Sequence, residues 1–314
     1  MPEFKRAVVI GTGMMGPGIA ATFALGGLRT TVLSRDLERA HAGKAQAISL
    51  ISSLAANDLA EPEAARDAEG LLLGSADMDA EVRNADIVVE SVPEDMEFKQ
   101  KLFRRLDEVA APHTVLASNT SGLSITAIAS LCAHHPERVL TTHFWNPPYL
   151  MPLVEIVCGK QTSLEIAERV RALMLQCGKV PVIVKKDRPG QLGNRLYQAV
   201  IREAVNMVAE GIASVEDVDL AVRKGFGLRF PAYGIFEHQD LVGLDLASKV
   251  MEYVSKDLYN APHAPPLYQE LMKAGHFGVS TGRGFYDWKD KSADGVKSRR
   301  DRFLIAFLKS EFGE

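Results

Sequence analysis

Ala7-Val8-Val9-Ile10-Gly11-Thr12-Gly13-Met14-Met15-Gly16 is the stretch that decides the fold. Four consecutive apolar residues suit a strand buried on both faces, as in a parallel sheet. The glycine run follows without a break, and residues 17–25 continue in a helical pattern. In this strand–turn–helix setting each glycine has a physical task. Gly11 makes the tight turn, Gly13 lets the backbone approach a pyrophosphate, and Gly16 lets the helix pack on the strand. Gly11, Gly13, Met14, Met15 and Gly16 are therefore the expected cofactor loop, with the amides and dipole of the helix start holding phosphate oxygens.

Moving outward, Thr30-Thr31-Val32-Leu33 reads as a second strand ending in Ser34-Arg35-Asp36. A carboxylate at this strand end bonds the ribose 2'-hydroxyl of NAD and repels the 2'-phosphate of NADP. The position expected to carry it holds Ser34, and Arg35 beside it suits a 2'-phosphate, although Asp36 can still turn inward. The residues lean slightly toward NADP over NAD. Residues 37–75 read as a helix to about Ala56, a polar turn at Asn57-Asp58, and a second helix from Pro62. Ala85–Glu90 is another parallel-type strand, and its following loop offers Val92 and Glu94 to the cofactor. Lys99 opens the next helix and can reach the same pocket, or serve as an exposed helix lysine. A strand at Thr114–Ala117 then delivers Ser118-Asn119-Thr120-Ser121 to the same edge, as hydrogen-bonding groups or as turn formers and caps.

Thr141-Thr142-His143-Phe144 and Leu153-Val154-Glu155-Ile156-Val157 read as short buried strands around a turn containing Pro147-Pro148. Such a turn brings His143 and Glu155 within hydrogen-bond reach. The pairing fixes one imidazole tautomer and favours the protonated ring, as general acid/base chemistry needs. A purely structural pair has the same spacing.

A length of 314 residues calls for two domains. With 46% hydrophobic residues the chain can fill a sizeable core, and a net charge of -4 gives no reason to expect a nucleic-acid or membrane partner. Cys132, Cys158 and Cys177 are widely spaced and form no metal-ligand pattern, which fits free thiols in a reducing compartment. No signal peptide or bilayer-length apolar run is apparent, and the expected compartment is the cytoplasm. Pro181–Val184 reads as a last strand, and Lys185–Gly190 as a charged, kinked hinge. From Asn194 the pattern turns helical, with Leu196, Val200, Ala204, Val205 and Val208 forming a core or dimer stripe. Ser214 reads as a helix N-cap with Asp217 in the box position, and His238 as structural. Residues 289–300 read as a solvated segment before a final helix at Phe303–Phe312.

Taken in order, these motifs resemble the 3-hydroxyacyl-CoA dehydrogenase family along the whole chain. They are Gly11–Gly16, Val92-Pro93-Glu94, Ser118–Ser121, His143–Pro147, Leu153-Val154-Glu155, Pro189-Gly190, Asn194-Arg195 and Thr281–Tyr286. The resemblance implies an α/β fold: a Rossmann domain with a parallel-rich doubly wound sheet over 1–187, then an all-helical substrate and dimerisation domain over 188–314. It further implies a homodimer, an active site in the cleft between the domains, and NAD(P)(H) as cofactor. His143 would be the base in alcohol oxidation and the acid in ketone reduction, oriented by Glu155, while Ser118 and Asn194 hydrogen-bond the reacting oxygen. Asn119 would sit with Val92, Glu94 and Lys99 against the cofactor.

Two departures bear on substrate. Acyl-CoA members usually carry lysines on the helical arm that meets the CoA phosphates. Here the arm, His41–Asn84, holds Lys44, Arg66 and Arg83 against nine carboxylates counted through Asp86 at its root. Such an arm is a poor partner for a polyanion. Arg229 stands where a fatty-acyl enzyme is expected to be apolar. Together with Asn146-Pro147-Pro148-Tyr149 this looks like the branch acting on small hydroxy acids, of the gulonate dehydrogenase (lambda-crystallin) or pyridine-carboxylate dehydrogenase type. Arg229 would then fork the substrate carboxylate, with Ser121 and Asn146 nearby. The expected partner is a small hydroxy acid or an acyl-CoA. A non-catalytic, crystallin-like nucleotide-binding protein on the same fold is the alternative.

Overall fold

The structure is a computed structural model describing residues 4–312. It divides into two compact units: Met1–Arg195 with Arg300–Glu314, and Leu196–Arg299. The first unit is built on strands β1 (Arg6–Ile10), β2 (Arg29–Leu33), β3 (Leu72–Ser75), β4 (Ile87–Glu90), β5 (Val115–Ser118), β6 (Val139–Phe144), β7 (Leu153–Cys158) and β8 (Val180–Val184). Its helices are α1 (Gly16–Leu25), α2 (Leu37–Ala56), α3 (Pro62–Leu71), α4 (Met78–Arg83), α5 (Met96–Val109), α6 (Ile125–Ile128) and α7 (Leu164–Gln176).

The eight strands form one sheet in the order β3-β2-β1-β4-β5-β6-β7-β8. Only the β6–β7 pairing is antiparallel. The continuous apolar run of β1 is explained by its burial from both sides. Ala7 and Val9 join the core that holds α1 and α7, while Val8 and Ile10 join the one beneath α5 and α6. The chain winds outward from β1 in both directions, so the switch point lies between β1 and β4. Ligands bind such sheets beyond the carboxyl ends of the strands at that point.

Two sequence expectations are corrected here. Residues 72–75 continue no helix but form the edge strand β3, parallel to β2. Pairing with the otherwise open edge of β2 outweighs the local leucine-rich signal. Residues 293–300 are already helical, because α14 runs Ala293–Phe312. Its charges support helix through an Asp294–Lys297 ion pair at 3.0 Å, and Ser292 accepts a hydrogen bond from Gly295 N at 3.0 Å.

The second unit is helical, as expected, but it spans Leu196–Arg299 where 188–314 was expected, and residues from Arg300 on group with the first unit. α8 (Gly193–Ala209) enters it, followed by α9 (Val215–Lys224), α10 (Phe226–Arg229), α11 (Ile235–Val242), α12 (Leu244–Val254) and α13 (Pro266–Lys273). Ser214 caps α9 through Asp217 N at 3.1 Å, and His238 stacks on Tyr233 at 5.3 Å. Among the described residues no helix is long and apolar enough to cross a membrane.

Candidate active site

A cavity of about 890 Å³ lies at the carboxyl ends of β1, β2, β4, β5 and β6. Its phosphate end is the turn after β1. A Cβ on Gly11 would collide with the Ser91 carbonyl, and one on Gly16 with the carbonyl of Gly11, so the loop closes only with glycine at both places. Gly13, Met14 and Met15 line the cavity, and Gly13 faces open space where a Cβ would point. Helix α1 starts after Met15 with no side-chain cap and no acid in its first turn. Its first amides are thus left for an anion, which fits a dinucleotide pyrophosphate.

At the end of β2, Ser34, Arg35 and Arg39 border the cavity. Asp36 does not. Its carboxylate caps α2, accepting from Arg39 N at 2.8 Å. Arg39 escaped the sequence reading because it lies one helical turn beyond the strand end.

Val92, Glu94, Asn119, Ser121, Asn146 and Asn194 all line the cavity. Glu94 accepts from Thr120 Oγ1 at 2.8 Å and from Ser121 N at 2.7 Å. Burial pushes its carboxyl up, but these bonds and the nearby Lys99 ammonium outweigh that and hold it below the ordinary range. Asn119 Oδ1 accepts from Phe144 N at 2.9 Å, tying β5 to the end of β6. Asn194 Nδ2 donates to Ser121 O at 2.8 Å.

Two expected residues sit behind the cavity wall instead of in it. Ser118 is fully buried and donates to Glu90 Oε2 at 2.6 Å. Lys99 is no exposed helix lysine. It is 1% exposed and pairs with buried Glu90 at 2.5 Å, with Val92 O at 3.3 Å and Glu94 Oε2 at 3.4 Å. The centre that sequence reading missed is therefore Glu90. It also accepts from Val92 N at 2.7 Å and thereby holds the loop that forms the cavity floor. Its only sequence signal was a lone acid closing an apolar strand.

His143 and Glu155 meet because β6 and β7 are antiparallel and place them directly opposite each other. His143 Nδ1–H donates to Glu155 Oε2 at 2.5 Å. Glu155 is wholly buried, and Trp145 Nε1 donates to the same oxygen at 3.1 Å. Its Oε1 accepts from Leu192 N at 3.0 Å and Gly193 N at 2.8 Å, so the carboxylate also caps the start of α8. Burial pushes Glu155 up, but the bonds from His143 and the two amides prevail, and it lies below the usual carboxylate range. An ionised Glu155 only accepts, so the proton of His143 sits on Nδ1. Nε2 has no partner among the described residues, and His143 lines the cavity. Trp145 and Gly193 were invisible as partners from sequence. The indole packs so closely that a Cβ on Gly193 would lie 2.5 Å from Trp145 Cζ2. Arg229 lies in the second unit, exposed at the end of α10, with no side-chain partner among the described residues.

Comparison with known proteins gives these features a context. Residues 6–188 match the 3-hydroxyacyl-CoA dehydrogenase NAD binding domain, and residues 190–288 match the C-terminal domain of the same family. The chain is 33% identical over 311 residues to a 5-formyl-3-hydroxy-2-methylpyridine 4-carboxylate 5-dehydrogenase of Mesorhizobium japonicum, covering 96% of each. It is 37% identical over 293 residues to a probable 3-hydroxybutyryl-CoA dehydrogenase of Bacillus subtilis, covering 93% of this chain and 100% of the other. A solved 5-formyl-3-hydroxy-2-methylpyridine 4-carboxylic acid 5-dehydrogenase, described as an NAD+-dependent dismutase, superposes with a TM-score of 0.91 at 31% identity. That match covers 99% of this chain and 100% of that one. The chain belongs to the 3-hydroxyacyl-CoA dehydrogenase family and is an NAD-dependent oxidoreductase of that type.

Proposed function

We propose that the chain interconverts a small 3-hydroxy compound and its 3-oxo form, with His143 as the proton-handling catalytic residue. One observation carries this reading. The Nδ1 side of His143 is committed to an ionised, fully buried Glu155, which leaves Nε2 as a basic edge at the cavity. In oxidation Nε2 takes the hydroxyl proton and Glu155 stabilises the imidazolium; in reduction the same proton is returned. When bound, NAD(H) supplies or accepts the hydride. Ser121 and Asn194 are the side chains for the reacting oxygen, with Ser121 in place of Ser118, whose hydroxyl is spent on Glu90. Glu94 and Asn119 hold the loops that face the cofactor.

The test is His143→Gln. Turnover falls by at least about 10²-fold, the low end of what a positioned acid/base contributes, while NADH binding followed by fluorescence stays the same. A variant that keeps wild-type turnover would falsify the assignment.

The finer reading favours a free hydroxy acid over a CoA thioester, though narrowly. The tip of the α2–α3 arm carries Asp58 and Glu61, and Lys309 of α14 is already paired with Asp58 at 2.9 Å. Likeness to an enzyme named for a pyridine carboxylate supports the same direction. Arg229, exposed and without a side-chain partner among the described residues, is the proposed carboxylate fork, and Asn146, which lines the cavity, is a separate proposed substrate contact. At the adenosine end, Arg35 and Arg39 without a facing Asp36 support acceptance of NADP, slightly above NAD. Three thiols free of disulfides suit a cytoplasmic setting. A homodimer through the helical unit completes the proposal. Val205 and Pro265 are that unit's only buried apolar side chains among the described residues.

A further inference from the structure

The segment 184–195 brings four cations to one place. Lys185, Lys186, Arg188 and Arg195 all border a single hollow of about 660 Å³, and no carboxylate lines it. The segment's own acid, Asp187, is committed elsewhere, accepting from Ser124 Oγ at 2.6 Å and Thr126 N at 2.9 Å. None of the four cations has an ion-pair partner among the described residues, and the hydrogen bonds that Arg195 donates there go to carbonyls. Its Nη1 donates to Pro189 O at 3.1 Å and its backbone N–H to Gly190 O at 3.0 Å. The guanidinium is thus anchored at one edge while its other N–H groups stay free.

Gln191 gives the hollow a built wall. It is 5% exposed, sits at φ 54, and donates through Nε2 to Thr120 O at 2.8 Å. Left-handed backbone at a residue other than glycine persists only where its surroundings hold it there. Its Oε1 is buried and has no partner among the described residues. A buried acceptor of this kind calls for a hydrogen-bond donor.

Four like charges around one hollow repel one another until an anion with several oxygens bridges them. Planar guanidinium forks match phosphate oxygens in pairs, and lysines add point charge. We propose that this hollow binds a phosphate-class oxyanion of at least two negative charges, free or borne by a larger ligand, with Gln191 Oε1 accepting a hydroxyl of that ligand. The site is distinct from the dinucleotide cavity, with which it shares no lining residue. It stands whether or not the dehydrogenase reading does.

The experiment is calorimetric titration of inorganic pyrophosphate into the full-length protein saturated with NADH, at ionic strength held constant with sodium chloride. Wild type binds at one saturable site. Arg188→Gln and the double variant Lys185→Gln/Lys186→Gln each weaken binding at least tenfold, and NADH affinity stays unchanged in both. No saturable binding by wild type, or equal affinity in all three proteins, overturns the proposal. Pyrophosphate competing with 3-hydroxybutyryl-CoA means that the anion arrives on the substrate. Binding without such competition means a free oxyanion.

Discussion

At the residue scale, side chains that look alike in sequence differ by what surrounds them. Ser118 closes β5 and Ser121 stands three residues on, yet one is sealed against Glu90 and the other opens on the cavity. Lys179 shows the same dependence on context. It is buried and donates through Nζ to Pro148 O at 2.6 Å and Met151 O at 3.1 Å, without a carboxylate. Burial pushes its ammonium down to about 8, against a small opposing pull from Cys177. In the unfolded chain the same group titrates near 10.4. Between these values the unfolded state binds more protons than the folded one, so folding stability from this group rises with pH across about 8 to 10. Below pH 8 the buried charge is a full cost, on the order of 3 kcal/mol for a shift of this size. Urea denaturation at pH 7.5 and 9.5 checks this. Wild type gains stability at the higher pH relative to Lys179→Met, and parallel behaviour of the two proteins counts against it.

At the element scale, the strand-to-helix corner after β2 is the proposed reader of the nucleotide's 2'-position. Asp36 belongs to α2 as its cap, which leaves Ser34 and Arg35 as the side chains of the strand end that face the cavity. Ser34→Asp supplies the missing carboxylate. The ratio of kcat/KM for NAD over NADP should rise at least about tenfold, equivalent to roughly 1.4 kcal/mol. An unchanged ratio means that this corner never meets the 2'-position. The corner, like β1 and α1, was legible in sequence because strand and helix there are each long enough to show their period. The edge strand β3 was not legible: four residues hold too little pattern, and only β2's open edge recruits them. The start of α14 was hidden for another reason, since its charges read as solvated segment until their i,i+3 pairing is seen.

At the scale of the whole molecule, the two units are stabilised unequally. The first has cores on both faces of its sheet. The second exposes Phe236 by 84% and Leu241 by 76% on α11, with Tyr253 at 79% on α12. Apolar surface of this extent is a mark of an association face. Phe236→Glu/Leu241→Glu should therefore shift the protein from dimer to monomer in light scattering after gel filtration, with a lower melting temperature. Wild type running as a monomer at micromolar concentration removes the dimer from the proposal.

The sequence by itself determined the dinucleotide fold, the glycine loop, the succession of a parallel-rich sheet by helices, and the facing of His143 and Glu155. Each is a matter of local period or of motifs whose spacing is fixed by backbone geometry. The tertiary structure alone decided which groups share a site: Glu90 with Lys99 and Ser118, Glu155 with Trp145 and the amides of Leu192 and Gly193, Gln191 with Thr120. Those partners lie 9 to 71 residues apart in the chain. Sheet order brings them together, and a single sequence carries no periodic trace of which strand ends will be neighbours.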